Sequence, residues 1–296
     1  ATDSSGNIYV MEYYNNRIKV FNSSGAYLRS FGGYGNACYQ WQYARQFTIY
    51  NDVVYIADTY GRKVKSLTLT GQCKDIWFTG QYPHAIAANS NYVFVGHPSN
   101  NISILDHRLN QRTTRSINSN YLSYSWGMSI NPAGNRLAIA DYNKNHVVEF
   151  SISGDWLTYT QKTSSTYSSG NGYFQRPTDT GYDSNGNIYV SDLYGHRVQK
   201  FNSSLSYQGK VGSYSTSSGF RYPYGMHVDS NDKVYATDFY NYAVRQYDTS
   251  LVEQNTYGGG GGTRLDAAKK VIKKIVSNTD LPSGANFGLM EWGTRH

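Results

Sequence analysis

The feature that most constrains this fold is a pattern that recurs along the chain at intervals of 38 to 51 residues. Its fullest copy reads DSNGNIYVSD over residues 183–192 and GHRVQKF over residues 195–201. Close copies start at Asp3 and Asp229, and weaker ones run through residues 54–58, 93–97 and 137–141. A period of this size indicates an array of stacked structural units that share one continuous core.

Each copy divides into four short segments with the composition of β-strands. In the fifth copy these are residues 178–182, 188–191, 197–201 and 207–211, rich in β-branched and aromatic residues and separated by Asn-Gly or Ser-Asn pairs. The second segments end at Glu12, Asp58, Gly96, Asp141, Asp192 and Asp238. Six copies of four strands predict an all-β, six-bladed β-propeller, whose closed ring protects the edges of its sheets.

The repeat resembles the NHL repeat, with the pattern D-S-x-G-N-I-Y-V-x-D followed by N-x-R-I/V-x-x-F. Copies one, five and six match it closely, copies two and four loosely, and copy three is degenerate. The resemblance covers residues 1–257 and implies a six-bladed propeller. The family includes enzymes, RNA-binding proteins and extracellular binding modules, so the resemblance says more about fold than about function.

The composition changes after Tyr257. Residues 258–262 are five glycines, a flexible linker, and residues 263–296 are expected to form a helix and a strand. That segment resembles part of a von Willebrand A domain of the kind found in type IV pilus tip adhesins, without the metal-binding Asp-x-Ser-x-Ser signature. One interpretation places the propeller inside such a domain. The other is a truncated domain, or an amphipathic helix that docks on the propeller.

Composition favours an extracellular protein. The chain has 30 tyrosines, many serines and asparagines, and no apolar segment long enough to span a membrane. Because the sequence begins within the first inner strand, we expect it to be part of a longer chain. Cys38 and Cys73 are the only cysteines, so one disulfide is possible, although the loops that hold them are expected at opposite faces. The net charge of +7 comes without an RNA-binding signature.

The recurrent acid that ends the second strands has two interpretations. A ring of carboxylates could bind a ligand, but the position of the acid after each strand favours a turn-forming role, in which its oxygens accept backbone N–H groups.

The predicted binding face is formed by the turns after the second strands and by the loops between blades. There are two alternatives to a binding face. The rim is solvated and binds no ligand, or Trp126 and Tyr224 pack between neighbouring blades. The candidate residues combine aromatic rings with basic groups, which suits a glycan, a peptide or a partner protein. They are Tyr14, Arg17, Tyr60, Lys63, Tyr82, His84, Trp126, His146, Arg176, Tyr194, Arg197, Arg221, Tyr222 and Tyr224.

Catalysis in the central channel is the competing hypothesis. The family that the repeat resembles includes lyases that hold zinc through histidines at the channel. A zinc site needs three or four ligands, but only His84 and His227 occupy inner-strand positions here, on opposite sides of the ring. A calcium ion held by carbonyl groups and acids such as Asp179 is possible. The sequence favours a non-enzymatic extracellular binding or assembly module of a surface or pilus-tip adhesin. The alternatives are a metal-dependent lyase and an RNA-binding NHL protein.

Overall fold

The computed structural model describes residues 1–215 and 219–258, and these form the six-bladed propeller that the repeat predicts. Every blade is an antiparallel sheet whose strands follow one another from the channel outwards. Blades two to six have four strands, and blade one has three. In blade one Thr2 pairs antiparallel with Ile8, so residue 2 lies where the innermost strand belongs.

Within each blade the strands are numbered from the channel outwards. Blade one contains β1 (Ile8–Glu12), β2 (Arg17–Phe21) and β3 (Tyr27–Gly32). Blade two contains β4 (Gln46–Tyr50), β5 (Val53–Asp58), β6 (Lys63–Thr68) and β7 (Cys73–Phe78). Blade three contains β8 (Ala85–Ala88), β9 (Val93–Gly96), β10 (Asn101–Leu105) and β11 (Gln111–Ser116).

Blade four contains β12 (Ser125–Ile130), β13 (Arg136–Asp141), β14 (His146–Ser153) and β15 (Trp156–Lys162). Blade five contains β16 (Pro177–Tyr182), β17 (Ile188–Asp192), β18 (Arg197–Phe201) and β19 (Tyr207–Val211). Blade six contains β20 (Pro223–Val228), β21 (Val234–Asp238), β22 (Ala243–Tyr247) and β23 (Glu253–Gly258), with a short 3-10 helix at Phe239–Asn241. The strand bounds predicted for the fifth copy are confirmed to within one residue.

Apolar side chains fill the spaces between adjacent blades. Each of the six interfaces has its own buried cluster, as where Phe94 of blade three meets Leu137 of blade four, and where Tyr189 of blade five meets Met226 of blade six. Because every sheet packs on two neighbours, the core is a closed ring around the channel.

The first aspartate of the repeat organises the turn between the first and second strands. One oxygen of Asp183 accepts the backbone N–H groups of Asn185 and Asn187, and the other accepts the hydroxyl of Tyr189 at 3.0 Å. Asp3 and Tyr9 repeat this arrangement. The motif therefore specifies a turn, and it explains why the aspartate and the tyrosine recur together.

The structure also supports the turn-forming interpretation of the second acid. Asp192 accepts the backbone N–H of Gln175 from the loop that enters the blade, and Asp238 accepts that of Arg221 in the same way. A basic group on the third strand neutralises the buried carboxylate. In blade five this group is Arg197, which lies directly opposite Asp192. In blade six it is Arg245, two residues after the position opposite Asp238.

The alignment of the degenerate third copy was wrong by one residue. In blade two, Ala57 pairs with Gln46 and the acid Asp58 follows it. In blade three, Gly96 pairs with the equivalent residue, Ala85, so the residue at the position of the acids is His97 and not Gly96. His97 is buried and its Nε2 lies 2.9 Å from Oγ of Ser103, which occupies the position of a basic residue. A neutral pair thus replaces the ion pair in this blade.

Cys38 and Cys73 form a disulfide with their Cα atoms 5.5 Å apart. The expectation that their loops lie at opposite faces was wrong. The loop from blade one to blade two runs along the flat side of blade two, where carbonyl groups of Ala37 and Gln40 accept hydrogen bonds from the buried ammonium of Lys65. This path carries Cys38 to the start of the outermost strand.

The linker and the von Willebrand A-like segment predicted for residues 258–296 lie outside the described residues, apart from Gly258 at the end of β23. Within the described part of the chain, no helix is long and apolar enough to cross a membrane.

Candidate binding face

One face of the ring is formed by the turns between second and third strands and by the loops that join successive blades. We call this surface the loop face. Of the twelve exposed tyrosines in the described residues, eleven lie in these turns and loops, and the other is Tyr27 in β3. Two of the eleven, Tyr39 and Tyr173, lie where the loops run along the flat sides of blades two and five. The eleven are Tyr14, Tyr34, Tyr39, Tyr60, Tyr82, Tyr167, Tyr173, Tyr194, Tyr214, Tyr240 and Tyr242.

Several of these rings contact one another across blade boundaries. The ring centroids of Tyr60 and Tyr82 lie 6.0 Å apart, and Tyr222 lies 5.8 Å from Tyr194 and 5.2 Å from Tyr240. Edge-on contacts at these distances orient aromatic rings and hold them on the surface. Tyr60, Tyr82, Tyr194 and Tyr240 therefore belong to one connected aromatic layer.

Arginines stack on this layer. The guanidinium of Arg176 lies 4.8 Å from the ring centre of Tyr142, and that of Arg221 lies 5.4 Å from Tyr240. Arg62, which the sequence analysis did not select, lies 4.6 Å from the ring of Tyr82. Stacking keeps the charges at the surface while the aromatic faces are covered.

Besides His84 at the channel mouth, two of the predicted residues are buried and not on the surface. Arg197 is buried, pairs with Asp192 at 2.8 Å and donates to three backbone carbonyl groups of residues 169–173. His146 is buried between the carbonyl of Tyr121 and the hydroxyl of Ser165. Both side chains hold loops in place from below. Their burial was not visible in the sequence, because a basic residue after a turn looks the same whether it faces solvent or an acid.

Arg17 and Lys63 occupy the same position on the third strand and are half-buried. Arg17 pairs with Glu12, while the ammonium of Lys63 lies 5.3 Å from the ring of Phe78. The predicted basic rim is therefore reduced to these two residues and to the arginines that stack on tyrosines.

At the centre of the loop face, equivalent residues of the inner strands surround the channel mouth. They are Arg45, His84, Trp126, Thr178 and Tyr224, one each from blades two to six. No two are of the same residue type, although they stand at one position of the repeat. The channel mouth thus does not follow the regularity of the repeat.

Trp126 contacts several other aromatic residues at the mouth. Its ring stacks on Tyr142 at 4.2 Å, meets His84 edge-on at 5.7 Å and lies 6.0 Å from Tyr224. Its indole Nε1 and the Nδ1 of His84 are buried and have no hydrogen-bond partner in the described protein. Burial, together with the charge of Arg45, lowers the pKa of His84 to about 3, so this imidazole is neutral at physiological pH.

Arg45 and Thr178 are the residues at the mouth that were not predicted from the sequence, and Arg45 makes the contacts that matter for a ligand. Its guanidinium crosses from blade two to lie 4.4 Å from the ring of Trp126, and it donates a hydrogen bond of 2.8 Å to the hydroxyl of Tyr224. The signal was its alignment with His84 and Tyr224, four residues after a buried aromatic anchor, Trp41, in the preceding loop.

One layer below the mouth, polar side chains meet across the channel. Gln46 donates from Nε2 to Oδ1 of Asp179 at 2.8 Å, and the other oxygen of Asp179 accepts the backbone N–H of Met226 at 2.9 Å. Burial raises the pKa of Asp179 to about 7. This carboxyl, considered for calcium, is surrounded by hydrogen-bond donors, which suit an acceptor more than a cation ligand.

Below this layer the channel opens into a cavity of about 440 Å³ that reaches the opposite face. His227 lines it and is half-buried, with Nε2 2.9 Å from the hydroxyl of Thr2. Among residues 1–215 and 219–258, no three His, Cys, Asp or Glu side chains come together as a metal site would require.

Comparison with known proteins supports the scaffold. The NHL repeat family model matches residues 174–201, which form most of blade five. No curated protein matches the chain at a significant level.

Solved structures share the fold at low sequence identity. A streptogramin B lyase has 11% identity and a TM-score of 0.63, with coverage of 86% of this chain and 80% of its own. Virginiamycin B lyase from Staphylococcus aureus has 13% identity and a TM-score of 0.60, with coverage of 87% and 82%. A chain of a nidogen/laminin complex has 14% identity and a TM-score of 0.64, with coverage of 82% and 90%. These structures establish the fold of this chain as a six-bladed β-propeller, and the residues of blade five carry a match to the NHL repeat.

Proposed function

We propose that this propeller is a non-enzymatic binding module that acts outside the cell and recognises a polypeptide partner through its loop face. The observation that carries the proposal is the distribution of exposed tyrosines, eleven in the turns and inter-blade loops and one in a strand of the described residues. Tyrosine gives a large contact area at a small cost in side-chain entropy and adds a hydroxyl for hydrogen bonding. Such a concentration is typical of surfaces that bind proteins.

A polypeptide fits this face better than a glycan does. The exposed rings are spread over the loops of every blade except blade three, whose turn carries His97 to Asn100. Arginines stacked on tyrosines offer planar charged donors to the side chains of a partner protein. Among the similar structures, one is a chain of a protein–protein complex.

The extracellular setting is supported by the Cys38–Cys73 disulfide, because structural disulfides persist in oxidising compartments. A role in a surface or pilus-tip adhesin remains a prediction that depends on residues 263–296. Recognition of a glycan and of RNA are outcomes that the following test distinguishes.

The test is selection of peptides from a random displayed library on the folded protein, followed by chemical-shift mapping of the bound peptide. The proposal expects selected peptides to perturb resonances of Tyr60, Tyr194 and Tyr240. Perturbation confined to the outer strands, or the absence of any selected peptide, would contradict it. Parallel titrations with oligosaccharide and oligonucleotide pools at moderate salt identify a glycan or RNA ligand, and tight binding of either without peptide binding would also contradict it.

A second function, that of a channel lyase, is favoured by one observation. The Nδ1 of His84, a neutral imidazole at the channel mouth, has no hydrogen-bond partner in the described protein and is able to accept a proton, although the low pKa of the ring makes it a weak base. The fold is shared with streptogramin B and virginiamycin B lyases. Incubation with virginiamycin B and a divalent cation, followed by chromatography, tests this function. Loss of intact antibiotic that disappears in His84→Ala would support it, and an unchanged antibiotic would exclude this substrate.

A further inference from the structure

The channel mouth contains a positive charge that the described protein does not neutralise. No carboxylate of residues 1–215 or 219–258 lies within 4.0 Å of the Arg45 guanidinium, whereas Arg197 and Arg245 each pair with a buried aspartate. Asp179, one layer below, is bound to Gln46 and to the backbone N–H of Met226 instead. A half-buried guanidinium without an anion is unusual, because removing charge from water is costly unless the charge is paired.

Aromatic rings surround this charge. Trp126 covers one face of the guanidinium, Tyr224 accepts one of its hydrogen bonds, and Tyr13, Tyr60 and Tyr124 are close enough to affect its titration. Contact with aromatic faces compensates part of the desolvation without using up the donors at the guanidinium edge. Nε of Arg45 is buried and has no hydrogen-bond partner in the described protein. The cation is therefore held in a fixed orientation with donors to spare.

The neighbouring groups do not compete with an incoming anion. His84 is neutral because its pKa lies at about 3, and burial raises the pKa of Tyr224 to about 12, so its hydroxyl stays protonated. The Gln46–Asp179 hydrogen bond lies beneath the mouth, so a ligand group is confined to the upper layer.

From this geometry we infer that the channel mouth is a carboxylate-binding site, in which Arg45 receives an acidic group of the polypeptide bound on the loop face. The guanidinium fork matches the two oxygens of a carboxylate, and the aromatic rings accommodate the apolar atoms beside it. This inference rests on the proposed binding function, and it specifies that the group recognised at the centre of the loop face is a carboxylate. The carboxylate is either a chain terminus or an acidic side chain.

The test uses small probes that differ in charge. N-acetyl-phenylalanine presents a terminal carboxylate, N-acetyl-aspartate α-amide presents a side-chain carboxylate, and N-acetyl-phenylalanine amide is the neutral control. Binding is followed by NMR through the Arg45 Nε–H and Trp126 Nε1–H resonances. We expect one of the acids to bind at least about tenfold more tightly than the amide, and the preferred acid identifies the source.

Variants locate the charge. Arg45→Gln should weaken binding of the preferred acid by at least about tenfold, and Arg45→Lys should retain part of it because the charge remains while the fork is lost. Arg115→Gln is the matched control, since Arg115 also stacks on a tryptophan, Trp156 at 3.8 Å, but lies off the loop face and is already paired with Asp155. It should bind like the wild type.

Equal binding of acid and amide by the wild-type protein would overturn the inference, and this arm requires no variant to fold. Unchanged binding in a folded Arg45→Gln variant, or no resonance shift with either acid, would overturn it as well. If library peptides bind the loop face of the wild type and of Arg45→Gln with equal affinity, this inference fails while the proposed function stands. If the acids bind at Arg45 and no peptide does, the proposed function fails instead.

Discussion

Gln46 and Asp179 join blades two and five across the channel, with Nε2 of the amide 2.8 Å from Oδ1 of the carboxyl. The same amide donates to the carbonyl of Met128 in blade four, and its oxygen accepts the backbone N–H of Ile86 in blade three. One side chain thus connects four blades that are far apart in sequence. It fixes the spacing of the inner strands directly beneath the candidate site.

Gln46→Ala should destabilise the propeller by about 2–4 kcal/mol, because it leaves buried partners at Asp179, Ile86 and Met128 without hydrogen bonds. Urea denaturation measures the change. Gln208→Ala is the control, since Gln208 is exposed and donates only to nearby backbone carbonyl groups. A difference below about 0.5 kcal/mol between the two variants would show that the cross-channel contacts contribute little.

Asp179 should make stability depend on pH. Burial raises its pKa from 3.8 to about 7, so between these values the folded protein holds a proton that the unfolded chain releases. The free energy of unfolding therefore falls as pH rises from 4 to 7 through this group, by up to about 4 kcal/mol. Denaturation of wild type and Asp179→Asn at pH 4.5 and 7.5 checks the sign. The variant, although less stable overall, should lack this decrease, and parallel pH profiles would contradict the assignment.

The buried pair of Arg197 and Asp192 should be much more important for stability than its surface counterpart. Arg197→Met leaves a buried carboxylate unpaired and should cost about 3–5 kcal/mol. Arg17→Met changes the equivalent position in blade one, where the arginine side chain is 40% exposed, and should cost less than about 1 kcal/mol. Thermal and urea unfolding of both variants provide the comparison. Equal losses would mean that burial does not distinguish the two pairs.

Removal of the disulfide should destabilise the junction of blades one and two. Cys38 and Cys73 are 35 residues apart, and closing a loop of this length in the unfolded chain corresponds to about 4 kcal/mol. The double variant Cys38→Ala/Cys73→Ala should therefore unfold at a lower denaturant concentration than the oxidised protein. Reduction of the wild type with a thiol should have the same effect. An unchanged midpoint in both experiments would contradict a structural role for the bridge.

The fold could be predicted because its determinants are local. The Asp183 and Tyr189 positions of the repeat make contacts within six residues, so the same letters recur wherever the same turn is built. The third copy was misaligned because its ion pair is replaced by His97 and Ser103, and neither residue resembles the pattern.

The candidate site was only partly predictable because its contacts are not local. The exposure of tyrosines such as Tyr60 and Tyr194 could be predicted, because they lie in turns whose positions the repeat gives. Arg45 meets Tyr224 across 179 residues of sequence, and no pattern within a single copy reports that contact. The burial of Arg197 likewise depends on the acid opposite and on the loop above it.

The most direct measurement for the central claim is the affinity of a library-selected peptide for three tyrosine variants, determined by calorimetry. Tyr60→Ala and Tyr194→Ala remove rings from the loop face, while Tyr27→Ala removes the one exposed tyrosine of the described residues that lies in a strand. We expect at least one loop-face variant to bind about tenfold or more weakly, corresponding to about 1.4 kcal/mol, and Tyr27→Ala to bind like the wild type. Equal affinity of all three variants and the wild type would contradict recognition through the loop face.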